Sequence, residues 1–149
     1  MNPDAEVSSL WKLQESFILM KENPMPDAKT FFLVFLGSGT GGVLRFFISR
    51  LCAKYFPLFP LGTLTANLLG MFLIGILTVW FIDKNLINSP YREMILVGFL
   101  GGLTTFSSFG YETFSLYREG RMDALFFYLS GNMLIGFALL ILGRFLGEL

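Results

Sequence analysis

Four long hydrophobic segments, separated by short polar stretches, dominate the chain after its first 29 residues. They cover about residues 30–49, 61–82, 94–117 and 124–142. Each approaches the roughly 20 residues that a helix needs to cross the hydrocarbon core of a bilayer. The pattern therefore predicts an all-α membrane protein with four transmembrane helices in each protomer.

Residues 1–29 differ from the rest, because acidic and basic side chains are spread through them. This distribution is not that of a secretory signal, which begins with positive charge and continues with an apolar region. Leu10, Trp11 and Phe17 are compatible with a short amphipathic helix. We expect an N-terminal extension over 1–29, partly disordered or lying at the membrane interface, followed by a four-helix membrane channel domain over 30–149.

The composition supports a membrane protein and excludes several kinds of site. The chain is 54% hydrophobic and only 15% charged, and its mean hydropathy is +0.63. A soluble domain carries about 25% charged residues. With no histidine and a single cysteine, the usual zinc and haem ligand sets and disulfide frameworks are excluded. The net charge of zero gives no indication of a nucleic-acid partner.

The distribution of basic residues predicts insertion in both orientations. Four crossings place both chain ends on one side of the membrane, and a clear Lys/Arg bias normally fixes that side. Here six basic residues face five: Lys12, Lys21, Lys29, Lys84, Arg92 and Arg144 against Arg45, Arg50, Lys54, Arg118 and Arg121. Two oppositely inserted copies can pair as an antiparallel dimer. A dimer is also expected because four helices are too few to enclose a pore.

The third hydrophobic segment contains the least helix-like sequence, GGLTTFSS at residues 101–108. Adjacent glycines and four hydroxyl residues predict that this helix is broken at membrane depth. Unwound backbone is tolerated there only where it is buried in protein or lines a watery path. Broken helices in this setting build ion and substrate sites. The segment thus indicates transport of a small solute.

Polar residues in the other segments allow two interpretations. Asn67 shares a helix face with Thr63, and Asn132 shares one with Tyr128, since each pair is four residues apart. Such side chains either join helices by hydrogen bonds, worth about 0.6–2 kcal/mol each, or line a pathway. The sequence leaves both interpretations open.

The central parts of the last three segments contain no Asp, Glu, Lys or His. Proton-coupled transporters need an ionisable group within the membrane. Phe106 and Phe109 lie in the interrupted segment, and the positive edge of an aromatic ring favours an anion. An uncharged path with amide, hydroxyl and ring-edge contacts predicts a passive channel for a small anion. It requires no covalent chemistry, so no enzymatic activity is expected.

Four motifs occur together and in order over residues 31–146. They are GSGTGGVLR at 37–45, PLGTLTANLLG at 60–70, GFLGGLTTFSSF at 98–109 and EGR at 119–121. With these motifs the chain resembles the CrcB/Fluc fluoride channel family. The resemblance implies an antiparallel, dual-topology homodimer with two pores in the cell membrane. It also implies passive, selective export of fluoride that protects the cell from fluoride toxicity.

The resemblance also assigns roles to residues by their matching positions. It implies a pore and fluoride-binding set comprising Asn67, Phe106, Phe109, Thr105, Ser108, Tyr128, Asn132 and Arg45. Tyr128 and Asn132 would belong to a polar track on the last helix, and Arg45 to a vestibule. The backbone carbonyls of Gly101 and Thr104 would bind a structural Na⁺ at the dimer axis.

Three alternatives remain open from the sequence. These alternatives are a coupled small-molecule exporter, a membrane scaffold without transport activity, and a channel subunit that works only as a heterodimer with a paralogue. The missing membrane carboxylate argues against the first alternative. The near balance of basic residues argues against the heterodimer.

Overall fold

The computed structural model describes residues 25–149, which form four long helices. Helix α1 covers Ala28–Tyr55, α2 covers Leu61–Asp83, α3 covers Tyr91–Arg118 and α4 covers Met122–Glu148. All four are long and apolar enough to cross a membrane, and the described residues contain no β-strand. The predicted all-α membrane fold with four spans is confirmed.

Helix α1 begins two residues before the predicted start of the membrane domain. Asp27 is its N-cap, and its Oδ1 accepts hydrogen bonds from the Thr30 backbone N–H at 2.9 Å and from Thr30 Oγ1 at 2.6 Å. These bonds hold the pKa of the Asp27 carboxyl below its ordinary value, because they favour the charged form. Most of the predicted extension, residues 1–24, lies outside the described residues, so its separation from the membrane domain stays a prediction.

A tight turn joins α3 to α4. Gly120 has a φ of +69°, its N–H donates to the Tyr117 carbonyl at 3.0 Å, and the Arg121 N–H donates to the Leu116 carbonyl at 3.0 Å. This pair of bonds is the Schellman motif, which uses glycine because an L side chain is strained at positive φ. The turn reverses the chain within a few residues, so α3 and α4 run side by side.

Helices α1 and α3 are in direct backbone contact through glycines. A Cβ added to Gly41 would overlap the Phe99 carbonyl, and one added to Gly102 would overlap the carbonyl of Ser38. Gly37 and Gly98, one turn away on the two helices, face each other in the same way. Glycines four residues apart allow helix backbones to approach closely in membranes, where packing replaces the hydrophobic effect.

A second glycine contact joins α2 to α4. A Cβ on Gly75 would overlap the Leu140 carbonyl, and one on Gly143 would overlap the Phe72 carbonyl. Helix α2 therefore lies against α4 as closely as α1 lies against α3. These two contacts set the short distances between α1 and α3 and between α2 and α4, which side chains have to span.

Many large apolar side chains of the protomer remain exposed. They include Phe31, Phe32, Phe35, Phe46, Phe47, Phe126, Phe127 and Phe145. In a membrane protein such a surface faces lipid or another protein chain, so its apolar side chains are not exposed to water. This accounts for much of the high phenylalanine content, 18 residues in the whole chain.

Gly41→Ala is expected to destabilise the fold, because the new methyl group meets rigid backbone of α3. Overpacking of this kind costs typically about 1–3 kcal/mol. Gly39→Ala is the matched control, since a Cβ at Gly39 meets nothing within 4 Å. Thermal unfolding of the purified protein in detergent measures both. Equal melting temperatures for the two variants would contradict the close α1–α3 contact.

Candidate functional site

Helix α3 changes its backbone conformation at two residues near its middle. Thr104 has φ −88° and ψ 156°, and Thr105 has φ −152° and ψ 123°, both extended. Helical residues Leu100–Leu103 precede them and the helix Phe106–Arg118 follows. The interruption predicted over 101–108 is therefore too wide, because its glycines are helical and its serines lie in the next helix.

Side chains take two N–H groups that a continuous helix would use itself. In such a helix Thr105 would donate to the Gly101 carbonyl and Ser108 to the Thr104 carbonyl. Instead the Thr105 N–H donates to Asn67 Oδ1 at 2.9 Å, and the Ser108 N–H donates to Thr105 Oγ1 at 3.2 Å. These exchanges deprive the Gly101 and Thr104 carbonyls of their helical partners.

Arg45, a residue of α1, contacts the C-terminal end of the first half of α3. Its Nε donates to the Gly102 carbonyl at 3.0 Å. A cation at a helix C-terminus is favourable, because the last carbonyls carry partial negative charge. In this position Arg45 supports the break, while its predicted part in a vestibule stays a prediction.

Asn67, Thr105 and Asn132 join α2, α3 and α4 in one polar cluster. Asn67 Nδ2 donates to Asn132 Oδ1 at 2.9 Å and to the Thr105 carbonyl at 3.3 Å, while Asn132 Nδ2 donates to the Tyr128 carbonyl at 3.0 Å. Both Nδ2 hydrogens of Asn67 are thus engaged. An ion that binds this amide must displace one of these bonds, and the longer one to Thr105 is the weaker.

A second cluster joins the same three helices. Both oxygens of Glu112 accept hydrogen bonds, Oε1 from Thr63 Oγ1 at 2.9 Å and Oε2 from the Tyr128 hydroxyl. Thr63 is 5% exposed and Tyr128 is fully buried. Thr63 and Tyr128 each lie one helical turn before their counterparts Asn67 and Asn132. The two clusters therefore form a continuous polar track between α2, α3 and α4.

Glu112 is not among the site residues predicted from the sequence, because it lies beyond the charge-free centre of its segment. A usable signal was present. Residues 105, 108, 109 and 112 recur at helical spacing and share one face of α3.

Phe106 and Phe109 are neighbours with different surroundings. Their ring centroids are 5.7 Å apart and the rings are tilted by 45°. Phe109 is only 7% exposed, and its centroid lies 5.4 Å from that of Tyr128. Phe106 is 79% exposed and points out of the protomer. Phe109 thus belongs to the protomer's own core, whereas Phe106 offers its ring to whatever covers this surface.

Two cavities lie along the track. A cleft of about 410 Å³ brings together seven predicted site residues: Asn67, Gly101, Thr104, Thr105, Phe106, Phe109 and Asn132. A second cavity of about 490 Å³ is lined by Thr63 and Glu112 and also by Arg50 and Arg121. Tyr128, Ser108 and Arg45 line neither cavity, although each bonds to a residue or peptide of the break or the track.

Comparison with known proteins identifies the family. Residues 32–144 match the family described as "CrcB-like protein, Camphor Resistance (CrcB)". This chain belongs to the CrcB family. Membership of this family and the four apolar spans of the structure both indicate a multi-pass membrane protein.

Several relatives in the CrcB family carry the name fluoride-specific ion channel FluC. The protein of Aquifex aeolicus (strain VF5) is 42% identical over 118 residues, which cover 78% of this chain and 95% of the relative. That of Hydrogenobaculum sp. (strain Y04AAS1) is 40% identical over 121 residues, 80% of this chain and 98% of the relative. That of Escherichia coli (strain K12) is 43% identical over 106 residues, 71% and 84% of the two chains.

Asn67→Leu is expected to destabilise the protein by about 1–3 kcal/mol, because it leaves the Thr105 N–H and the Asn132 amide without their partner. Asn132→Leu removes the other side of one of these bonds. The double variant should lose less than the sum of the two single losses, as measured by thermal or denaturant unfolding in detergent. Additive losses would mean that the two amides do not interact.

Proposed function

We propose that this chain is a fluoride-selective passive channel that exports F⁻ and works as an antiparallel homodimer with two pores. The observation that supports this most is the polar track beside the broken helix α3, in a family whose relatives are named fluoride-specific ion channels. The track supplies hydrogen-bond donors and ring edges, which suit a small and strongly hydrogen-bonding anion.

The second half of α3 contributes to anion binding through its N-terminus. The helix begins at Phe106 in the middle of a 28-residue span. Its first-turn N–H groups and positive dipole end favour negative charge. Thr105 and Ser108 place hydroxyl groups at the same point, 3.3 Å from each other. Hydroxyl and amide donors replace the water that the anion must release on entry.

Phe106 and Phe109 extend the same path with their rings. The edge of an aromatic ring is positive, and its face is negative. Rings tilted by 45° to each other allow an edge of one to approach an anion beside the other. Such a contact selects against cations and gives weak binding, which conduction requires.

Glu112 places a carboxylate at one end of this path. Both of its oxygens already accept hydrogen bonds from Thr63 and Tyr128. The guanidinium groups of Arg50 and Arg121 line the same cavity. An anion entering from that side therefore meets a mixed but not purely negative surface.

A second copy of the chain completes the pathway in this proposal. The cleft at the break opens on the protomer surface, and Phe106 points outward there. A bilayer would leave these polar groups facing lipid, which is unfavourable. A second protomer that covers the cleft provides the missing wall. The near balance of basic residues between the two ends supports its opposite orientation.

The chain's own residues also fit the structural Na⁺ that the family resemblance implies. Carbonyl oxygens are suitable ligands for hard cations. The Gly101 and Thr104 carbonyls have lost their helical donors to Asn67 and Thr105. A Cβ on Gly101 would meet nothing within 4 Å, so the backbone is accessible there. Bound Na⁺ would give these carbonyl oxygens a partner and hold the broken helices of two copies together.

Export needs no coupled energy source. Hydrogen fluoride is a weak acid that crosses membranes uncharged and dissociates inside the cell. An interior-negative potential then drives F⁻ outward with about 2.3 kcal/mol per 100 mV. The donors of the track only have to lower the barrier for a dehydrated anion.

Liposomes that contain the purified protein should release fluoride, but not chloride, when valinomycin supplies the compensating potassium current. Phe106→Ile is expected to slow fluoride release by roughly tenfold or more, since a loss of about 1.4 kcal/mol changes a rate tenfold. Phe35→Ile is the matched control, because Phe35 is 71% exposed on α1 and lies outside both cavities.

The same assay separates this proposal from its alternatives. Equal release of chloride would contradict fluoride selectivity. Release that requires an imposed proton gradient would indicate a coupled exporter. No release from a folded dimer would contradict a homomeric channel and indicate a missing paralogous subunit.

Sodium is expected to stabilise the dimer. Above its dissociation constant, each tenfold rise in Na⁺ concentration should add about 1.4 kcal/mol to the free energy of unfolding. The measurement is thermal or denaturant unfolding in detergent, with N-methylglucamine replacing Na⁺ at constant ionic strength. Unfolding that is independent of this exchange would contradict a Na⁺ site.

A further inference from the structure

Glu93, in the first turn of α3, has a carboxylate oxygen without a partner. Its Oε1 accepts a hydrogen bond from Arg92 at 3.0 Å. Its Oε2 is shielded from solvent and makes no hydrogen bond within residues 25–149, although the Ser89 side chain lies nearby. An unpaired buried acceptor is costly, more so when it is charged. The protomer alone therefore leaves Glu93 incomplete.

The surface beside Glu93 is continuous with the cleft at the break. Glu93, Ile82, Leu96 and Val97 line a cavity of about 330 Å³, and Leu96 also lines the cleft that contains Gly101. Leu100 and Gly101, one turn further along α3, also line that cleft. A protomer that covers the cleft would extend over Glu93 as well.

Among the described residues, Arg144 and Lys84 at Glu93's own end of the molecule already have partners. Arg144 pairs with Asp83 at 3.1 Å and with Glu148 at 3.1 Å. Lys84 donates to the Gly147 carbonyl at 2.8 Å, and Lys29 lies over the Tyr91 ring at 5.6 Å from its centroid. A second copy in the parallel orientation would bring these same residues to the membrane face of Glu93.

The opposite end of the molecule carries cations with no acidic partner. Arg50 and Lys54 form no ion pair within residues 25–149. Their cationic groups lie over the rings of Phe46 and Tyr55. Arg118 is exposed, and no ion pair within 25–149 involves it. An antiparallel second copy brings this basic end to the membrane face at which Glu93 lies.

We propose that Glu93 Oε2 accepts a hydrogen bond from Arg50, Lys54 or Arg118 of the partner subunit. The ion pair rests on the proposed antiparallel dimer and adds a reason for its orientation. Among the cations of residues 25–149, Arg118 is the one with no ion pair, side-chain hydrogen bond or ring contact. The antiparallel pairing brings it to the membrane face of Glu93, so the pair favours that arrangement over the parallel one. A partner cation would complete this carboxylate, whose other oxygen is already held by Arg92.

Dimer dissociation constants in vesicles, measured by energy transfer between labelled subunits, test the pair. Glu93→Lys is expected to raise the dissociation constant at least about tenfold. Glu148→Lys is the matched control, an equal charge change at the same end on a residue that also pairs with an arginine of its own chain but has no shielded, unpaired oxygen. It should shift the constant much less. Equal effects of the two variants would overturn the proposal.

Charge reversal identifies the partner cation. Glu93→Lys subunits are mixed in turn with subunits that carry Arg50→Glu, Lys54→Glu or Arg118→Glu. Association should return toward the wild-type constant with one of the three. Failure of all three to restore association would overturn the ion pair.

Cysteine cross-linking tests the contact without charge reversal. On a Cys52→Ser background, Glu93→Cys combined with Arg50→Cys, Lys54→Cys or Arg118→Cys should give a covalent dimer on oxidation for at least one combination. A wild-type chain that is monomeric would contradict the proposed dimer itself. A conducting wild-type dimer whose cysteine pairs all fail to cross-link would overturn only the role of Glu93.

Discussion

The hydrogen bond from the Thr105 N–H to Asn67 Oδ1 is the interaction on which the rest of the site depends. Hydrocarbon offers no water to a broken helix, so each backbone group released at the break must find another partner or a bound ion. Asn67 supplies that partner from a different helix. The break, the free carbonyls beside it and the new helix that begins at Phe106 all follow from this exchange.

Close helix packing makes the exchange possible. Asn67 has a short side chain, and it reaches both Thr105 and Asn132 because α3 and α4 lie close to α2 at this point. Gly75 and Gly143 bring α2 and α4 together at backbone distance, and Gly102 does the same for α3 and α1. Glycine at these positions is thus part of the functional site, although it contacts no ion.

The sequence was sufficient for the number and type of elements, because span length and hydropathy are properties of each segment alone. Its limits appear where several helices meet. The interruption was predicted over residues 101–108, but Asn67 and Thr105 restrict it to two residues by capping the chain on either side. Glu112 lies beyond the charge-free centre of its segment, and its bonds to Thr63 and Tyr128 join residues that are distant in sequence. Arg45 likewise bonds to Gly102, 57 residues away.

The break also divides α3 into two parts that pack against different helices, although α3 is a single membrane span. The first half of α3 is fastened to α1 by glycine contacts and by Arg45. The second half is fastened to α4 through Phe109, Glu112 and Tyr128. One crossing of the membrane therefore consists of two helical parts with different neighbours, joined by two extended residues. The amide of Asn67, on α2, bonds to the chain between these parts.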